Sequence, residues 1–231
     1  MLGAQSIQSQ NIPVILDPKI SINFLSVISS MFNADAVQKN KSKLIGKLNN
    51  KIASDKVTII DDSTIDMQLG SFHFDGEGTI SQKNILIEKG LLKNYLYNDY
   101  TARKDKTRST GNANRASFKT IPDIFPTNFY LLPGEKTPEK LISSLNKGIY
   151  LTRVIGLHTT DPITGDFSLG AQGIMIENGK KTIPVRKFAI AGNLLDILNN
   201  IEDTANDLRF MPSSGNIGSP TVLIKEMKIS G

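Results

Sequence analysis

The 231-residue sequence predicts an α+β fold, with a large, mostly antiparallel sheet, several hairpins and a few short helices. Three observations support this prediction. Short apolar runs bounded by turn residues, typical of strands, outnumber the segments with helical periodicity. Asn178-Gly179 is a strong signal for a type I′ turn, so Ala171–Glu177 and Lys181–Ile190 are predicted to form an antiparallel pair. Strands that follow one another with few helices between them favour α+β over a regularly alternating α/β arrangement.

The first predicted elements are a strand at Pro13–Leu16 and a helix directly after it. Asp17 has a side chain suited to an N-cap. Pro18 suits the first helical position, where its missing N–H would have no partner. Apolar residues recur at helical spacing across Ile20–Phe32, which predicts a helix with one buried face.

Most of the remaining chain is predicted to form strands and turns. Lys89-Gly90 indicates a second hairpin, Thr137 is predicted to cap a short helix, and Ala191–Ile201 has the pattern of an amphipathic helix. The glycines in Phe210–Pro220 predict a loop. The further predicted strands are Val57–Ile60, Pro126–Leu132 and Thr221–Ile229.

Two other segments have the composition of loops. Residues 98–125 are polar, basic and irregular, so they are either a simple connection or a long loop that covers a cleft. Asp75-Gly76-Glu77-Gly78 is either a plain turn or an acidic cation-binding loop, although its ligand spacing is not that of a calcium loop.

The composition is that of a soluble globular protein, with 39% hydrophobic and 21% charged residues. Apolar runs fall far short of the roughly 20 residues that a membrane span needs, so no membrane partner is expected. The sequence contains no cysteine, which excludes disulfides and thiolate ligands and predicts a cytoplasmic location.

A net charge of +5 permits weak attraction to polyanions such as nucleic acids. Lys39, Lys43 and Lys47 recur every four residues, as on the solvated face of a helix. That interpretation makes a nucleic-acid partner the less favoured alternative.

Candidate site residues concentrate in the turn-rich segment between the predicted central strands. His158 could act as a general base, as a ligand or as a hydrogen-bonded structural residue; a metal site using it would need His73 to converge on it from a distant strand. Asp161, Asp166 and Ser168 either brace their own turn or, with His158, contact a bound peptide or a partner protein. No Ser-His-Asp arrangement can be derived from the spacing, since such triads are recognised by geometry.

Nearly the whole chain resembles the C-terminal domain of the TldD/PmbA family, and in particular its PmbA (TldE) branch. The similarity is concentrated in segments that occur in the family's order: VTIIDD (57–62), FDGEG (74–78), LIEKGLLKNYL (86–96), STGNANR (109–115), PTNFYLLPG (126–134), GLHTTDPITGDFSLGAQG (156–173), IENGK (176–180), IAGNLLDIL (190–198), NDLRF (206–210) and TVLIKEMKISG (221–231).

The TldD branch of this family carries a His-Glu-x-x-x-His zinc motif on the helix that corresponds to the first helix here. With the shared Asp35-Ala36-Val37 as an anchor, the histidine positions fall on Leu25 and Ser30, and the glutamate position falls on Ser26. These side chains supply neither imidazole ligands nor a carboxylate base. The resemblance therefore implies that this chain has no catalytic residues and binds no zinc.

The resemblance also implies a function. Family members form a cytoplasmic protease complex in which a TldD-like subunit supplies zinc and a PmbA-like subunit contributes to the partner surface and the substrate channel; the complex cleaves unstructured peptides. On this basis residues 1–231 are expected to be the family's C-terminal domain without its N-terminal domain. The family's older name, modulator of DNA gyrase, leaves a gyrase- or nucleic-acid-associated binding protein as the alternative.

Overall fold

A computed structural model describes residues 5–231, in which two six-stranded sheets and a two-stranded ribbon surround a central helix. The first sheet contains the longest strands. In sheet order they are β1 (Gln10–Leu16), β8 (Lys147–Ile155), β9 (Asp166–Glu177), β10 (Lys180–Asn193), β14 (Val222–Ser230) and β11 (Ile201–Thr204). Strand β1 pairs with β14 as well as β8, so five strands close into a barrel that β11 extends along β14.

The second sheet is open and is built from shorter strands. In sheet order they are β12 (Arg209–Ser213), β13 (Gly215–Ser219), β7 (Asn128–Leu131), β2 (Ile59–Asp62), β3 (Lys83–Glu88) and β4 (Leu91–Leu92). Strands β5 (Ala113–Asn114) and β6 (Asp123–Ile124) form the separate ribbon.

The α+β composition is confirmed, but the expectation of one large sheet is corrected. There are two sheets, and the first closes on itself. Most pairs are antiparallel, yet β1–β8 and β13–β7 are parallel. Alternating sequence patterns show which face of a strand is buried but not which strand lies beside it, so closure could not be predicted.

The predicted loop over Phe210–Pro220 is wrong, because β12 and β13 form a hairpin there. Strand β13 also pairs with β7, whose residues lie almost ninety positions earlier in the chain, and this pairing satisfies its backbone groups. Pro212 lies in β12, the edge strand, where a missing N–H costs no ladder hydrogen bond.

Five α-helices lie within residues 5–231: α1 (Pro18–Ser30), α2 (Ala34–Gln38), α3 (Asp99–Lys104), α4 (Pro138–Ser143) and α5 (Leu194–Asn199). The predicted caps are confirmed: the Asp17 carboxylate accepts from the Lys19 N–H at 3.0 Å, and the Thr137 hydroxyl accepts from the Lys140 N–H at 3.4 Å. None of these helices has the length and apolar composition needed to cross a bilayer.

The predicted solvated helix through Lys39, Lys43 and Lys47 is not formed. Helix α2 ends at Gln38, and Asn40 adopts a φ of 59°, which turns the chain out of the helix. Periodic spacing of charged residues indicates exposure, but it does not by itself stabilise a helix without an apolar face to pack.

Helix α1 lies between the two sheets and supplies core to both. Its Phe24 ring packs on Phe167 of β9 with centroids 5.4 Å apart, and just beyond its end Phe32 packs edge-on against Phe129 of β7 at 5.7 Å. The apolar spacing that predicted this helix thus corresponds to buried residues along its length.

A buried carboxylate ties the second sheet to the ribbon. Asp61 in β2 is fully buried and accepts hydrogen bonds from the Thr127 N–H at 2.7 Å, the Thr127 hydroxyl at 2.9 Å and the Asn112 amide at 2.7 Å. Burial raises the pKa of Asp61 to about 6, since these donors offset only part of the lost hydration. The chain thus carries an acid that titrates well above the usual range.

The predicted Asn178-Gly179 turn is confirmed, with positive φ at both residues, 51° and 74°. The flanking strands β9 and β10 pair antiparallel, with Lys180 opposite Glu177. The Gly179 N–H also donates to Leu145 O at 2.9 Å, so the turn is held against the segment after α4.

Gly179→Val is expected to lower the free energy of unfolding by about 1 kcal/mol or more, because a β-branched residue is strained in the left-handed region. A Cβ at Gly179 would also lie only 3.0 Å from Ser143 Cα. Thermal unfolding followed by circular dichroism measures the loss. Gly170→Val is the control on the same hairpin: its Cβ would meet Ile155 at an ordinary 3.7 Å, and we expect no loss. An unchanged midpoint for Gly179→Val would contradict the turn assignment.

Asp61→Asn is expected to remove a component of the pH dependence of stability. The folded pKa of about 6 lies above the ordinary aspartate value of 3.8, so the contribution of Asp61 is fully present below pH 3.8 and is lost as pH rises through 6. The shift corresponds to up to about 3 kcal/mol. Urea unfolding of both proteins between pH 4 and pH 7 measures the difference in slope. Parallel pH profiles would show that Asp61 does not titrate in this range.

Candidate functional site

The three positions aligned with the zinc motif lie on helix α1 and hold no metal ligands. Leu25 is only 2% exposed and packs in the core. The Ser26 hydroxyl lies 2.7 Å from the Ser213 hydroxyl at the end of β12, and the Ser30 hydroxyl donates to Val27 O at 2.7 Å. A tetrahedral zinc site needs nitrogen, sulfur or carboxylate donors, which these residues do not provide. Zinc therefore does not fit this position.

Within the part of the chain that the structure describes, no group of three or more His, Cys, Asp or Glu side chains is placed to hold a metal ion. The acidic loop after Phe74 shows why. Its buried Asp75 carboxylate accepts from the N–H groups of Glu77 and Thr79 at 2.9 Å each and from the Ala113 N–H at 3.0 Å. Asp75 thus braces its turn and fastens it to β5.

The predicted site residues lie in and beside the turn between β8 and β9, residues 156–165, which we call the central turn. The structure brings some of them together. Asp161 accepts from the N–H groups of Ile163 and Thr164 at 2.7 and 3.2 Å, and these bonds hold the pKa of its carboxyl below the usual range. The backbone N–H of Asp161 donates to Asp166 O at 3.1 Å, so the two acids share one turn.

Asp166 connects this turn to the end of β10. It accepts from the Asn193 amide at 2.8 Å, and the Asn193 oxygen in turn caps helix α5 by accepting from the Leu195 N–H at 3.0 Å. The Asn193 hydrogen bond, followed by contributions from Thr164 and Lys43, holds the pKa of Asp166 below its usual range. These contacts brace the fold locally.

His158 and Ser168 are exposed and flank these two acids in the sequence. His158 is in a 3-10 turn at Leu157–Thr159, and Ser168 lies on β9 opposite Ala191 of β10. Neither side chain forms a hydrogen bond within residues 5–231, so both remain free to contact another molecule. A role for the four residues in peptide or partner contact stays a prediction.

A well-formed concave feature lies elsewhere, between the ribbon, strand β13 and residues 69–76. We call this cleft of about 530 Å³ the aromatic cleft. Its defining side chains are Leu69, Phe72, Phe74 and Phe125 at the rim, and Asn112 and Thr127 in its lining. Because Asn112 and Thr127 also donate to Asp61, the buried acid lies directly behind the wall of the cleft.

One strand of the aromatic cleft, β13, also packs against the helix that carries positions 25, 26 and 30. Gly215 and Asn216 of β13 form part of its wall, and β12 and β13 both contact α1. The Ser26–Ser213 hydrogen bond fixes this hairpin on the helix. The cleft and helix α1 are therefore connected through the β12–β13 hairpin, although no α1 residue lines the cleft.

Sequence reasoning missed the aromatic cleft, although it marked two of its walls. The sequence predicts a plain turn or a cation loop for Asp75–Gly78, and a connection or a loop over a cleft for residues 98–125. The structure joins them: Gly76 N–H donates to Ala113 O at 2.8 Å, and Arg115 Nε donates to Gly76 O at 2.9 Å. The signal available in the sequence was the set of phenylalanines beside these two polar segments, Phe72 and Phe74 before the acidic turn and Phe125 at the end of residues 98–125.

Comparison with known proteins assigns the family. The profile of the PmbA/TldA metallopeptidase C-terminal domain matches residues 9–231. A metalloprotease PmbA homolog of Buchnera aphidicola is 32% identical over 230 residues, covering 100% of this chain and 48% of the relative. A metalloprotease TldD homolog of the same species is 31% identical over 245 residues, covering 100% of this chain and 50% of the relative. The chain spans about half the length of these curated relatives.

Solved structures give the same result. The chain is similar to TldE from Thermococcus kodakarensis, with a TM-score of 0.92 and 26% identity over 99% of this chain and 52% of that one. It is also similar to a protein from Thermotoga maritima described as a candidate modulator of DNA gyrase, with a TM-score of 0.91 and 34% identity over 99% of this chain and 51% of that one. Sequence, fold and the match over nearly every residue agree: this chain belongs to the PmbA/TldD metallopeptidase family.

Proposed function

We propose that the chain is a non-catalytic, PmbA-like subunit of a TldD/PmbA-type metalloprotease that acts on unstructured peptides in the cytoplasm. A TldD-like partner supplies the zinc and the catalytic residues, and this chain contributes to the partner surface and the substrate channel. The observation that carries the proposal is the state of helix α1. Leu25 is part of the core, and Ser26 and Ser30 are occupied by hydrogen bonds, so no metal-ligand set exists where the family's zinc motif lies.

The comparisons support this proposal at the level of the family. Relatives carry both the TldD and the PmbA name, and one similar structure is a TldE. The chain spans about half of these proteins. Subunit assembly and peptide cleavage are therefore proposed for it from the whole family members.

The charge distribution does not support the alternative function of nucleic-acid binding. Lys43, Lys47 and Lys51 share a groove, but Asp166 and Asp196 line the same groove. Carboxylates interleaved with lysines repel phosphates and reduce the electrostatic attraction on which non-specific nucleic-acid binding depends.

The purified chain is expected to contain no stoichiometric zinc and to leave an unstructured peptide intact, whereas addition of a TldD-like partner gives hydrolysis. Metal content by mass spectrometry and peptide cleavage by chromatography measure the two properties. The control is the partner treated with a zinc chelator, which should abolish cleavage in the mixture. Stoichiometric zinc in the chain, or peptide hydrolysis without the partner, would contradict the proposed function.

Substitutions in and beside the central turn distinguish residues that contact a peptide or a partner from residues that stabilise the fold. Asp166→Ala is expected to lower the midpoint of thermal unfolding, because the Asn193 amide loses its acceptor, with activity of the mixture falling only in proportion to unfolded protein. His158→Ala is expected to leave the midpoint unchanged, since the imidazole is exposed, and to reduce hydrolysis if the predicted peptide or partner contact exists. Asp66→Ala, at an exposed acid elsewhere, is the control. Reduced hydrolysis by folded Asp166→Ala would contradict its structural role, and full activity of His158→Ala would exclude the contact.

A further inference from the structure

The ribbon of β5 and β6 is short and largely exposed. Ala113 pairs with Ile124 and Asn114 pairs with Asp123, and neither strand joins one of the two larger sheets. Ala113 and Ile124 are buried, whereas residues 114–121 are exposed. A two-stranded ribbon with few buried apolar residues is only marginally stable by itself. Its position therefore depends on polar contacts with the rest of the chain.

The Asp61 carboxylate holds the two ends of the ribbon together at its base. The Asn112 amide, directly before β5, donates to Asp61 at 2.7 Å and to Phe125 O at 3.0 Å. The Phe125 N–H, directly after β6, donates back to Asn112 O at 3.0 Å. Thr127, two residues further on, donates to Asp61 through its backbone N–H and its hydroxyl. One carboxylate thus joins the segment that enters the ribbon to the segment that leaves it.

The closed base leaves two oxygen atoms poorly compensated. Asp61 is buried among neutral donors, and no Lys or Arg within residues 5–231 forms an ion pair with it. Asn112 Oδ1 is also buried and accepts no hydrogen bond within residues 5–231. Movement of the ribbon away from β2 would hydrate both groups. Burial of the Asp61 charge therefore opposes closure of the ribbon.

The charged groups of the sheet beside Asp61 do not compensate its charge. Asp62, the next residue in β2, adds a charge of the same sign. In β3, the neutral Asn84 lies opposite Asp61, and Lys83 lies opposite Asp62. In β7, Tyr130 is the residue that can ionise, and burial raises its pKa, so it stays neutral.

The charged groups of the neighbouring turn and of the ribbon itself are engaged elsewhere. Their contacts are Asp75 with the Ala113 N–H, Glu77 with the Asp99 N–H, Arg115 with Gly76 O and Thr120 O, Asp123 with the Ile124 N–H, and Lys119 with the Phe118 ring. The ionisation of Asp61 is therefore opposed by burial without help from a nearby cation.

We propose that the β5–β6 ribbon is a flap at the aromatic cleft, held closed while Asp61 is protonated and opening more readily when Asp61 is ionised. Residues 112–115 line one side of the cleft, so movement of the ribbon changes access to it. The direction follows from hydration: an ionised carboxylate gains more from contact with water than a neutral carboxyl does, and the closed ribbon withholds that contact.

Proton linkage fixes the pH range of the flap. Burial raises the pKa of Asp61 to about 6 in the closed state, and hydration in the open state returns it to the ordinary value of 3.8. The closed state therefore binds the proton more tightly than the open state. Closure is strongest below pH 3.8, weakens as pH rises through 6, and changes little above that. The equilibrium constant for opening is expected to rise about fifty-fold between pH 4 and pH 7.

Hydrogen–deuterium exchange of the 231-residue chain, measured by mass spectrometry from pH 4 to pH 7, tests the proposal. Rates are corrected for the intrinsic exchange of unprotected amides at each pH. Protection of amides in residues 111–127 is expected to fall about fifty-fold over this range. At every pH it should stay below the protection of the β9–β10 amides, because the ribbon opens while the barrel remains folded.

Asp61→Asn removes the charge and keeps the size of the side chain. Protection of the ribbon in this variant is expected to change by no more than about two-fold between pH 4 and pH 7. Asp75→Asn is the matched control, since Asp75 also holds the ribbon, through the Ala113 N–H. It should lower protection of the ribbon at every pH and leave the dependence on pH in place. Circular dichroism of each variant confirms that the fold is kept.

Constant protection of the ribbon in the unaltered chain, or an equal fall in Asp61→Asn, would overturn the proposal. Equal protection of ribbon and barrel at every pH would also overturn it, because the ribbon would then open only when the whole chain unfolds. If Asp61→Asn does not fold, the unaltered chain and Asp75→Asn decide: loss of the pH dependence in Asp75→Asn would assign it to the wrong acid. The experiment uses neither zinc nor a partner, so its result is independent of the proposed function.

Discussion

The burial of helix α1 between the barrel and the open sheet is the constraint on which the rest of the structure depends. One helix provides apolar surface to two sheets that share no strand, through Phe24 on the barrel side and the adjoining Phe32 on the other. Burying a phenylalanine side chain stabilises a protein by about 1.5–3 kcal/mol. Loss of this helix would therefore expose both sheets at once, and neither could replace it from its own residues.

The same constraint links the core to the candidate chemistry. The helix presents Leu25 to the core and Ser26 to the β12–β13 hairpin, so these two positions serve packing and hydrogen bonding. The hairpin in turn forms part of the aromatic cleft. In this way helix α1 holds one strand of the cleft in place although none of its own residues lines the cleft.

The aromatic cleft is maintained at an electrostatic cost. Asp61 is fully buried and accepts three hydrogen bonds, no Lys or Arg within residues 5–231 pairs with it, and burial raises its pKa to about 6. A buried carboxylate without a charged partner is unfavourable, and polar networks of this kind occur where they hold a particular geometry. Here the geometry held is that of Asn112 and Thr127, both in the lining of the cleft. By contrast, the hydrogen bonds of Asp161 and Asp166 serve their own turn and the cap of α5.

The sequence by itself determined the features that depend on a few neighbouring residues. Asn178-Gly179 specified its turn, Asp17 specified the start of α1, and the resemblance placed leucine and serine at the zinc positions, because turn conformation, capping and side-chain chemistry are local. Only the tertiary structure decided that β1 lies beside both β8 and β14, that residues 209–219 form a hairpin against β7, and that residues 69–76 and 112–115 line one cleft. These arrangements depend on hydrogen bonds and burial between residues far apart in the chain, whose free energy no local pattern encodes.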